Sequence, residues 1–410
     1  MTGLRVLVIS QYFWPENFRI NELVHSLVLR GTKIDVLTGK PNYPDGTVYE
    51  GYHAMGTMRE TWHGANVFRV PLIPRGLRSG IRLFLNYLSF MLSAATFGPW
   101  LLRKFHYDII FVYAPSPLLK SLPAILIGRL KRAPVAIYVQ DLWPESLEAT
   151  GHVRNRQVIR LVELLVRFIY RHADLILVSS HPFIASIRRF SPTAEVIYYP
   201  NSVDASFSDL RPKPEFNLPA LECGFTVVFA GNVGTAQAVH VITEAAALLN
   251  SQPDIHIVVF GSGSKLEWMR SQISENKLDN LVLAGSYPMH AMPSLLSQAG
   301  ALLVTLSDRE IFASTVPNKL QAYMAIGKPI IAAMNGEGAR LVKDAQAGLA
   351  VPAENAEALA DAILKLRSMS KSEREKMGSK ARDYYLRHFD HEKLVTDLQA
   401  HLSRVTNKKL

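Results

Sequence analysis

Short apolar runs alternate with longer amphipathic ones along the whole chain. In the first half the apolar runs fall at Arg5–Ser10, Lys33–Thr38, Val67–Val70, Asp108–Tyr113, Val135–Val139, Leu175–Ser179 and Val196–Tyr199. In the second half they fall at Thr226–Ala230, His256–Phe260, Leu281–Ala284, Ala301–Leu306 and Pro329–Ala333. Unbroken apolar runs, rather than strict alternation, suit strands buried on both faces of a parallel sheet. Helical periodicity lies between them, as in Arg19–Leu29, which Gly31 terminates. Strand–helix alternation predicts an α/β protein with two doubly wound parallel sheets. At 410 residues the chain exceeds one comfortable core. The expected division is an N-terminal domain at 1–203, a proline-bearing linker at Asp204–Cys223, a C-terminal domain at 224–390 and a helical, polar end.

The ends of the second-half strands carry the candidate chemistry. Phe225–Phe229 runs into Ala230-Gly231-Asn232-Val233-Gly234-Thr235, and Ile255–Phe260 runs into Gly261-Ser262-Gly263-Ser264. Glycines at strand ends permit tight turns and close approach of a ligand to the backbone. After Ala301–Leu306 comes Ser314-Thr315-Val316-Pro317-Asn318-Lys319, opening a helix that Gly327 stops. Free N–H groups at a helix N-terminus attract anions, and Lys319 adds a formal charge beside them. Such a loop suits a phosphate-bearing ligand, and equally reads as an ordinary helix cap.

Charge and hydropathy change the picture in the first half only. Residues 1–200 hold 23 Lys and Arg against 13 Asp and Glu, whereas residues 201–410 hold 22 of each. Arg75, Arg78, Arg82, Arg103, Lys104, Lys120, Arg129, Lys131 and Arg132 contribute to a basic face that fits nucleic acid, anionic lipid or a phosphorylated substrate. No nucleic-acid-binding signature accompanies them, and neighbouring apolar segments favour lipid. Leu83–Leu102 has no charged side chain and is bracketed by Arg82 and Arg103-Lys104. It reads as a segment lying in the lipid interface, with a buried helix and a membrane span as alternatives. The single cysteine, Cys223, excludes an intrachain disulfide and a multi-cysteine metal site. The first residues read as a strand rather than a signal peptide.

The order of these motifs, together with Leu4–Glu16, Arg30–Thr38, Pro41–Gly46, Gln140-Asp141-Leu142-Trp143-Pro144-Glu145-Ser146 and Val316-Pro317-Asn318-Lys319-Leu320, resembles glycosyltransferase family 4 over nearly the whole chain. That family holds retaining enzymes of the GT-B fold, two Rossmann-like domains facing a cleft. The subgroup resembled builds bacterial surface polysaccharides, including transferases of N-acetylfucosamine-type sugars. The resemblance implies a nucleotide-sugar donor, such as a uridine-diphosphate N-acetylhexosamine or deoxyaminosugar, on the C-terminal domain. It implies a polyprenyl-diphosphate saccharide as acceptor, no metal or other cofactor, and attack on the donor's own face with its phosphate helping to take the acceptor proton. It also implies that the final helix, 391–410, returns to the N-terminal domain. A cytoplasmic protein, peripheral on the inner face of the cytoplasmic membrane, would suit such an acceptor.

The chain departs from the family where donor contacts are expected. Two glutamates eight positions apart are replaced by Ser314 and Ala322, and an Arg/Lys pair by Asn232 and Gln237. Lys319 is the substitute cation, supported by the N–H groups of Thr315 and Val316, with Arg309 second. Further donor contacts are expected from Gly231, Asn232, Gly234, Thr235, Gly261, Ser262, Gly263, Ser314 and Asn318, with Tyr287 placed to stack on the base. In the first half, Glu16, Asn17 and Arg19 follow the first strand and would face the acceptor and donor phosphate. Asp141 and Glu145 would orient an acceptor hydroxyl, Asp141 alternatively capping a helix. An isomerase on the same fold and a non-catalytic nucleotide-sugar or membrane-docking protein remain as other classes.

Overall fold

The computed structural model describes residues 3–76, 80–149, 155–203, 205–208, 218–222 and 224–409. They fall into two α/β units, Met1–Pro200 with Glu392–Leu410, and Asn201–His391. The first carries strands β1 (Arg5–Ile9), β2 (Lys33–Thr38), β3 (Met58–Trp62), β4 (Ala65–Arg69), β5 (Ile109–Ala114), β6 (Val135–Val139), β7 (Leu175–Val178) and β8 (Val196–Tyr198). Its helices are α1 (Arg19–Leu29), α2 (Gly80–Leu101), α3 (Ser121–Lys131), α4 (Glu145–Ala149), α5 (Arg156–Arg171) and α6 (Pro182–Phe190). The second unit begins with α7 (Pro219–Glu222) and carries β9 (Phe225–Ala230), β10 (Ile255–Phe260), β11 (Leu281–Gly285), β12 (Ala301–Thr305), β13 (Ile330–Ala333) and β14 (Gly348–Val351). Its remaining helices are α8 (His240–Leu248), α9 (Leu266–Asn276), α10 (Met292–Ser297), α11 (Glu310–Ala313), α12 (Asn318–Ile326), α13 (Glu337–Asp344), α14 (Ala356–Ser368) and α15 (Lys371–His388). A last helix, α16 (His391–Lys409), belongs to the first unit.

The first sheet has the order β3-β4-β2-β1-β5-β6-β7-β8. It is parallel except at one edge, where β3 pairs antiparallel with β4. This corrects the expectation of an all-parallel sheet. The sequence Met58-Arg59-Glu60-Thr61-Trp62 is half exposed and charged, so it lacks the apolar run of a buried strand. On one face Val6, Val8 and Phe111 share a buried cluster with Val24 and Leu27 of α1 and with Leu394, Leu398 and Leu402 of α16. Ion pairs from Arg30 to Glu392 (2.6 Å) and from Lys408 to Glu195 (2.8 Å) hold α16 along that face.

On the other face α2 packs on α3 and the sheet through Asn86, Phe90, Ala94 and Gly98, spaced four apart. A Cβ at Gly98 would lie 3.0 Å from Ile127 and 3.0 Å from Leu37, so a larger residue here would have to push those side chains aside. Elsewhere on the helix Ile81, Phe84, Leu92 and Trp100 are exposed, with half-buried residues between the two faces. By length and composition α2 could cross a membrane, and 17% of its most apolar window is buried. Of the expected basic face, Arg78 lies outside the described residues. Lys120 does not belong to that face, because it is fully buried with Nζ donating to the Pro115 carbonyl at 2.8 Å.

The second sheet is parallel throughout, in the order β11-β10-β9-β12-β13-β14. The short β14, starting at Gly348, has no run long enough to read from the sequence. Of the expected linker, Cys223 and most of 204–217 lie outside the described residues, while Phe207 and Leu221 are buried in the core of the second unit.

The burial of α16 gives a direct expectation. Leu398→Ala should lower the stability of the first unit by about 2–5 kcal/mol, as large-to-small changes in closed cores do. A denaturant midpoint unchanged from that of the parent chain would show that α16 is not part of this core.

Candidate functional site

In the second sheet the chain runs outward from β9 through β10 to β11, then crosses back to β12 on the other side of β9. The loops after β9 and β12 therefore diverge at the carboxyl edge, the place where open α/β sheets bind ligands. The loop after β10 joins them. Gly231 N–H donates to the Phe260 carbonyl (2.9 Å) and Val233 N–H to the Ser262 carbonyl (2.8 Å). Gly261 has φ +135, and a Cβ there would meet the Gly231 carbonyl oxygen at 1.9 Å. Its conformation is thus required by the neighbouring loop rather than by a ligand. Gly231, Asn232, Thr235, Ser262 and Gly263 remain exposed along this edge, whereas Gly234 is buried.

Lys319 enters the same edge from the first turn of α12. Its Nζ is wholly buried without a hydrogen-bond partner, 3.9 Å above the centroid of the Phe229 ring. A Cβ at Gly231 would lie 2.9 Å from that nitrogen and would crowd it, and φ +142 there also favours glycine. Burial pushes the amine down to about 7, since no hydrogen-bond acceptor replaces the lost hydration. Tyr323, one turn further along α12, accepts a 2.8 Å hydrogen bond on its hydroxyl from the Ala230 N–H at the end of β9. This bond fixes α12 against the β9 loop and places Lys319 over Phe229.

The other expected donor contacts divide. Thr315 N–H is spent on the Phe312 carbonyl (3.1 Å) and Ser314 N–H on that of Glu310 (3.1 Å), so the Thr315 amide does not supply the anion support expected of it. The Val316 side chain is buried in the core, and the Asn318 side-chain amide oxygen accepts from Asn201 Nδ2 at 2.8 Å. Arg309 is exposed and precedes α11. Tyr287 packs edge-on against Phe260, with ring centroids 5.5 Å apart.

In the first unit Glu16 is buried and its carboxylate accepts from three backbone N–H groups, those of Phe13 (3.2 Å), Asn42 (2.7 Å) and Tyr43 (2.8 Å). It ties together the loops that follow β1 and β2. Burial raises its carboxyl to about 7 against the pull of those amides. Asn17 is exposed beside it, and Arg19 pairs with Glu22 at 3.3 Å. Asp141 follows β6 and accepts from the Ser146 hydroxyl, with burial holding its carboxyl above the usual range. Glu145 opens α4. Lys120, on the turn after β5, has its amine pushed down to about 7 by burial. No group of three or more His, Cys, Asp or Glu is placed to hold a metal ion among the described residues.

Comparison with known proteins fits this geometry. Residues 17–202 match the model of the glycosyl transferase 4-like domain, and residues 214–384 that of glycosyl transferases group 1. The protein is a glycosyltransferase of the GT-B fold. It is 26% identical over 343 residues to an Escherichia coli protein named as a colanic acid biosynthesis glycosyl transferase, WcaI, covering 79% of this chain and 82% of that one. Among solved structures, sucrose-phosphate synthase from Thermosynechococcus elongatus superposes with a TM-score of 0.76 at 18% identity, over 99% of this chain and 100% of that one. Anabaena HepE in complex with UDP and glucose gives 0.71 at 14% identity, over 98% of this chain and 100% of that one. At these identities the structures establish the fold.

Two residues that position Lys319 at the carboxyl edge of this glycosyltransferase are not revealed by the strand-end motifs. Phe229 could not be found from sequence, because an aromatic residue inside a strand looks like core. Tyr323 could, since it stands four residues after Lys319 and so shares its helix face. Tyr323→Phe leaves the buried Ala230 N–H without an acceptor, a loss of about 1–3 kcal/mol. Thermal unfolding of the second unit should move down accordingly, and donor affinity should fall with it. Equal stability and affinity in the phenylalanine variant would remove Tyr323 from the site.

Proposed function

We propose that this glycosyltransferase acts with retention. It would move a sugar from a uridine-diphosphate donor to a polyprenyl-diphosphate-linked saccharide during surface-polysaccharide synthesis. The donor sugar would be an N-acetylhexosamine or a deoxyaminosugar of the N-acetylfucosamine type. The observation that carries this reading is the Lys319 amine, buried, without an acceptor and set at the carboxyl edge where the sheet topology turns back. A donor diphosphate would give it the acceptor it lacks. The leaving diphosphate gains charge as the glycosidic bond breaks, so a cation fixed beforehand lowers the barrier. Lys319 would do the work of the family's missing Arg/Lys pair and make a metal ion unnecessary. UDP bound to HepE supports the nucleotide, and the colanic acid assignment of WcaI supports the polysaccharide context.

The acceptor would use the first unit. Asp141, with its raised carboxyl, and Glu145 follow β6 and would orient the acceptor hydroxyl, whose proton passes to the donor phosphate. The basic excess of residues 1–200 and the exposed apolar face of α2 suit a lipid-linked diphosphate at the inner face of the cytoplasmic membrane. The test is transfer itself. The purified chain is given a panel of nucleotide-sugars and a short-chain polyprenyl-diphosphate saccharide, and the anomeric configuration of the product is read by NMR. Inversion at the anomeric carbon would end the retaining assignment. Stabilisation by guanosine or adenosine diphosphates but not by UDP would end the uridine one.

Lys319 also makes the reading dependent on pH. Free, its amine titrates near 7, and a bound diphosphate draws that value upward, so binding takes up a proton in the interval between. UDP affinity should therefore be level just below pH 7 and fall by up to about tenfold per pH unit above it. Calorimetry in buffers of differing ionisation enthalpy would record the uptake. In Lys319→Met the slope above pH 7 should vanish, and affinity at pH 7 should drop by about tenfold to a hundredfold, the worth of one charge-assisted hydrogen bond. A folded methionine variant with parental affinity would move the anion site elsewhere.

A further inference from the structure

A second basic site lies in the first unit, at the opposite edge of the sheet from Asp141 and Glu145. The C-terminal ends of α3 and α5, with the starts of β6 and β7, enclose a cavity of about 460 Å³ at the amino edge of the first sheet. Arg129, Arg132 and Arg171 line it. None of the three guanidinium groups has an ion pair or side-chain hydrogen bond among the described residues. The acidic residue in the lining is Asp174, and one of its oxygens is already bonded to the Val135 N–H at 2.8 Å. Arg132 ends α3 in the left-handed conformation, φ 54, where glycine is the usual residue. Three cations converge on a concave, solvent-facing space with little local negative charge to hold them.

The surroundings of the cavity say what would fill it. Leu130 follows Arg129 and is 61% exposed. Phe168 and Leu164 lie one and two turns before Arg171, and Leu164 and Leu161 are 62% and 67% exposed. They share a face of α5 that lies away from its buried residues Val166, Ile169 and Tyr170. Twelve of the twenty large apolar side chains that are exposed in the described residues sit on α2, α3 and α5. The three helices form one layer. Gly98 of α2 abuts Ile127 of α3, and Lys131 of α3 donates to the Leu102 and Phe105 carbonyls at the end of α2 (2.7 and 2.8 Å). Each helix ends in basic residues, Arg103-Lys104, Lys131-Arg132 and Arg171. Apolar residues flanked by arginine, with guanidinium groups at headgroup depth, are how a helix lies in a bilayer surface. A soluble phosphate compound would account for the arginines but not for the leucines around them.

We infer that the Arg129–Arg132–Arg171 cavity binds the phosphodiester headgroup of an anionic phospholipid, and that α5 enters the bilayer surface beside α2. This rests on the reading of peripheral membrane attachment and gives it a lipid-specific contact. Two effects are separated by composition: the apolar faces should bind any bilayer weakly, and the cavity should add preference for anionic headgroups.

The full chain would be tested by co-sedimentation with vesicles of phosphatidylcholine alone and of phosphatidylcholine with phosphatidylglycerol. Arg129→Gln/Arg171→Gln should weaken binding to the anionic vesicles by about thirtyfold and leave binding to neutral ones unchanged. Arg188→Gln/Arg189→Gln, on α6, removes the same charge from another exposed place and should weaken it much less. Equal losses in the two pairs would reduce the site to diffuse charge and overturn the inference while sparing peripheral attachment. Failure of the parent chain to bind either vesicle would overturn both. Release of the parent chain from anionic vesicles by millimolar inorganic phosphate, with no effect of sulfate at the same ionic strength, would make this a soluble-phosphate site instead. The substituted arginines are unpaired, so melting temperatures within a degree or two of the parent are expected and confirm that the variants are folded.

Discussion

An ammonium group removed from water without an acceptor is among the least favourable things a fold can contain. The second unit is arranged around one. Lys319 keeps that position because three unrelated features agree on it. The sheet turns back between β9 and β12, the Tyr323 hydroxyl clamps α12 to the end of β9, and Gly231 leaves the space that the amine occupies. The Phe229 ring face offers partial compensation through its quadrupole. On the function proposed above, the remaining deficit becomes a preference for an anion at this place. Such preorganisation is set up during folding, so no reorganisation is required when a ligand's charge develops.

The first unit handles buried charge differently. Glu16 lies deep, yet its carboxylate is met by three backbone amides, and it joins the loops after β1 and β2. The two units thus contrast a satisfied buried carboxylate, which stiffens loops, with an unsatisfied buried amine, which waits for a partner. Reading both as ligand contacts is natural from sequence, because Glu16 and Lys319 are charged residues beside strand ends. Only the count of their partners separates the two roles.

Most strands and the architecture were legible because buried parallel strands leave unbroken apolar runs and glycine stops helices at Gly31 and Gly327. What escaped was whatever lacks that signature. The edge strand β3 is charged and half exposed, and β14 is short. Burial of individual cations was invisible too: Lys120 counts as a surface charge in any sum over the sequence and is in fact fully enclosed. The glycine motifs were legible as loops at one sheet edge. Their purpose was not, since Gly261 serves a neighbouring backbone and Gly231 serves a lysine almost ninety positions away. The helical layer of α2, α3 and α5 was visible only in part. The uncharged run of α2 stands out in sequence, whereas the leucines of α5 are interleaved with arginines and pass for the buried face of an ordinary helix.

The placement of α16 has a consequence for synthesis of the chain. Its leucines complete a core whose other members lie before residue 200, so that core stays open on one side until α16 has left the ribosome. The second unit, residues 201–391, closes on itself without them. Order along the gene and order of completion are therefore reversed: the later-encoded unit has all its parts first. Until α16 emerges, the earlier one exposes an apolar sheet face to the chaperones and nascent chains around it.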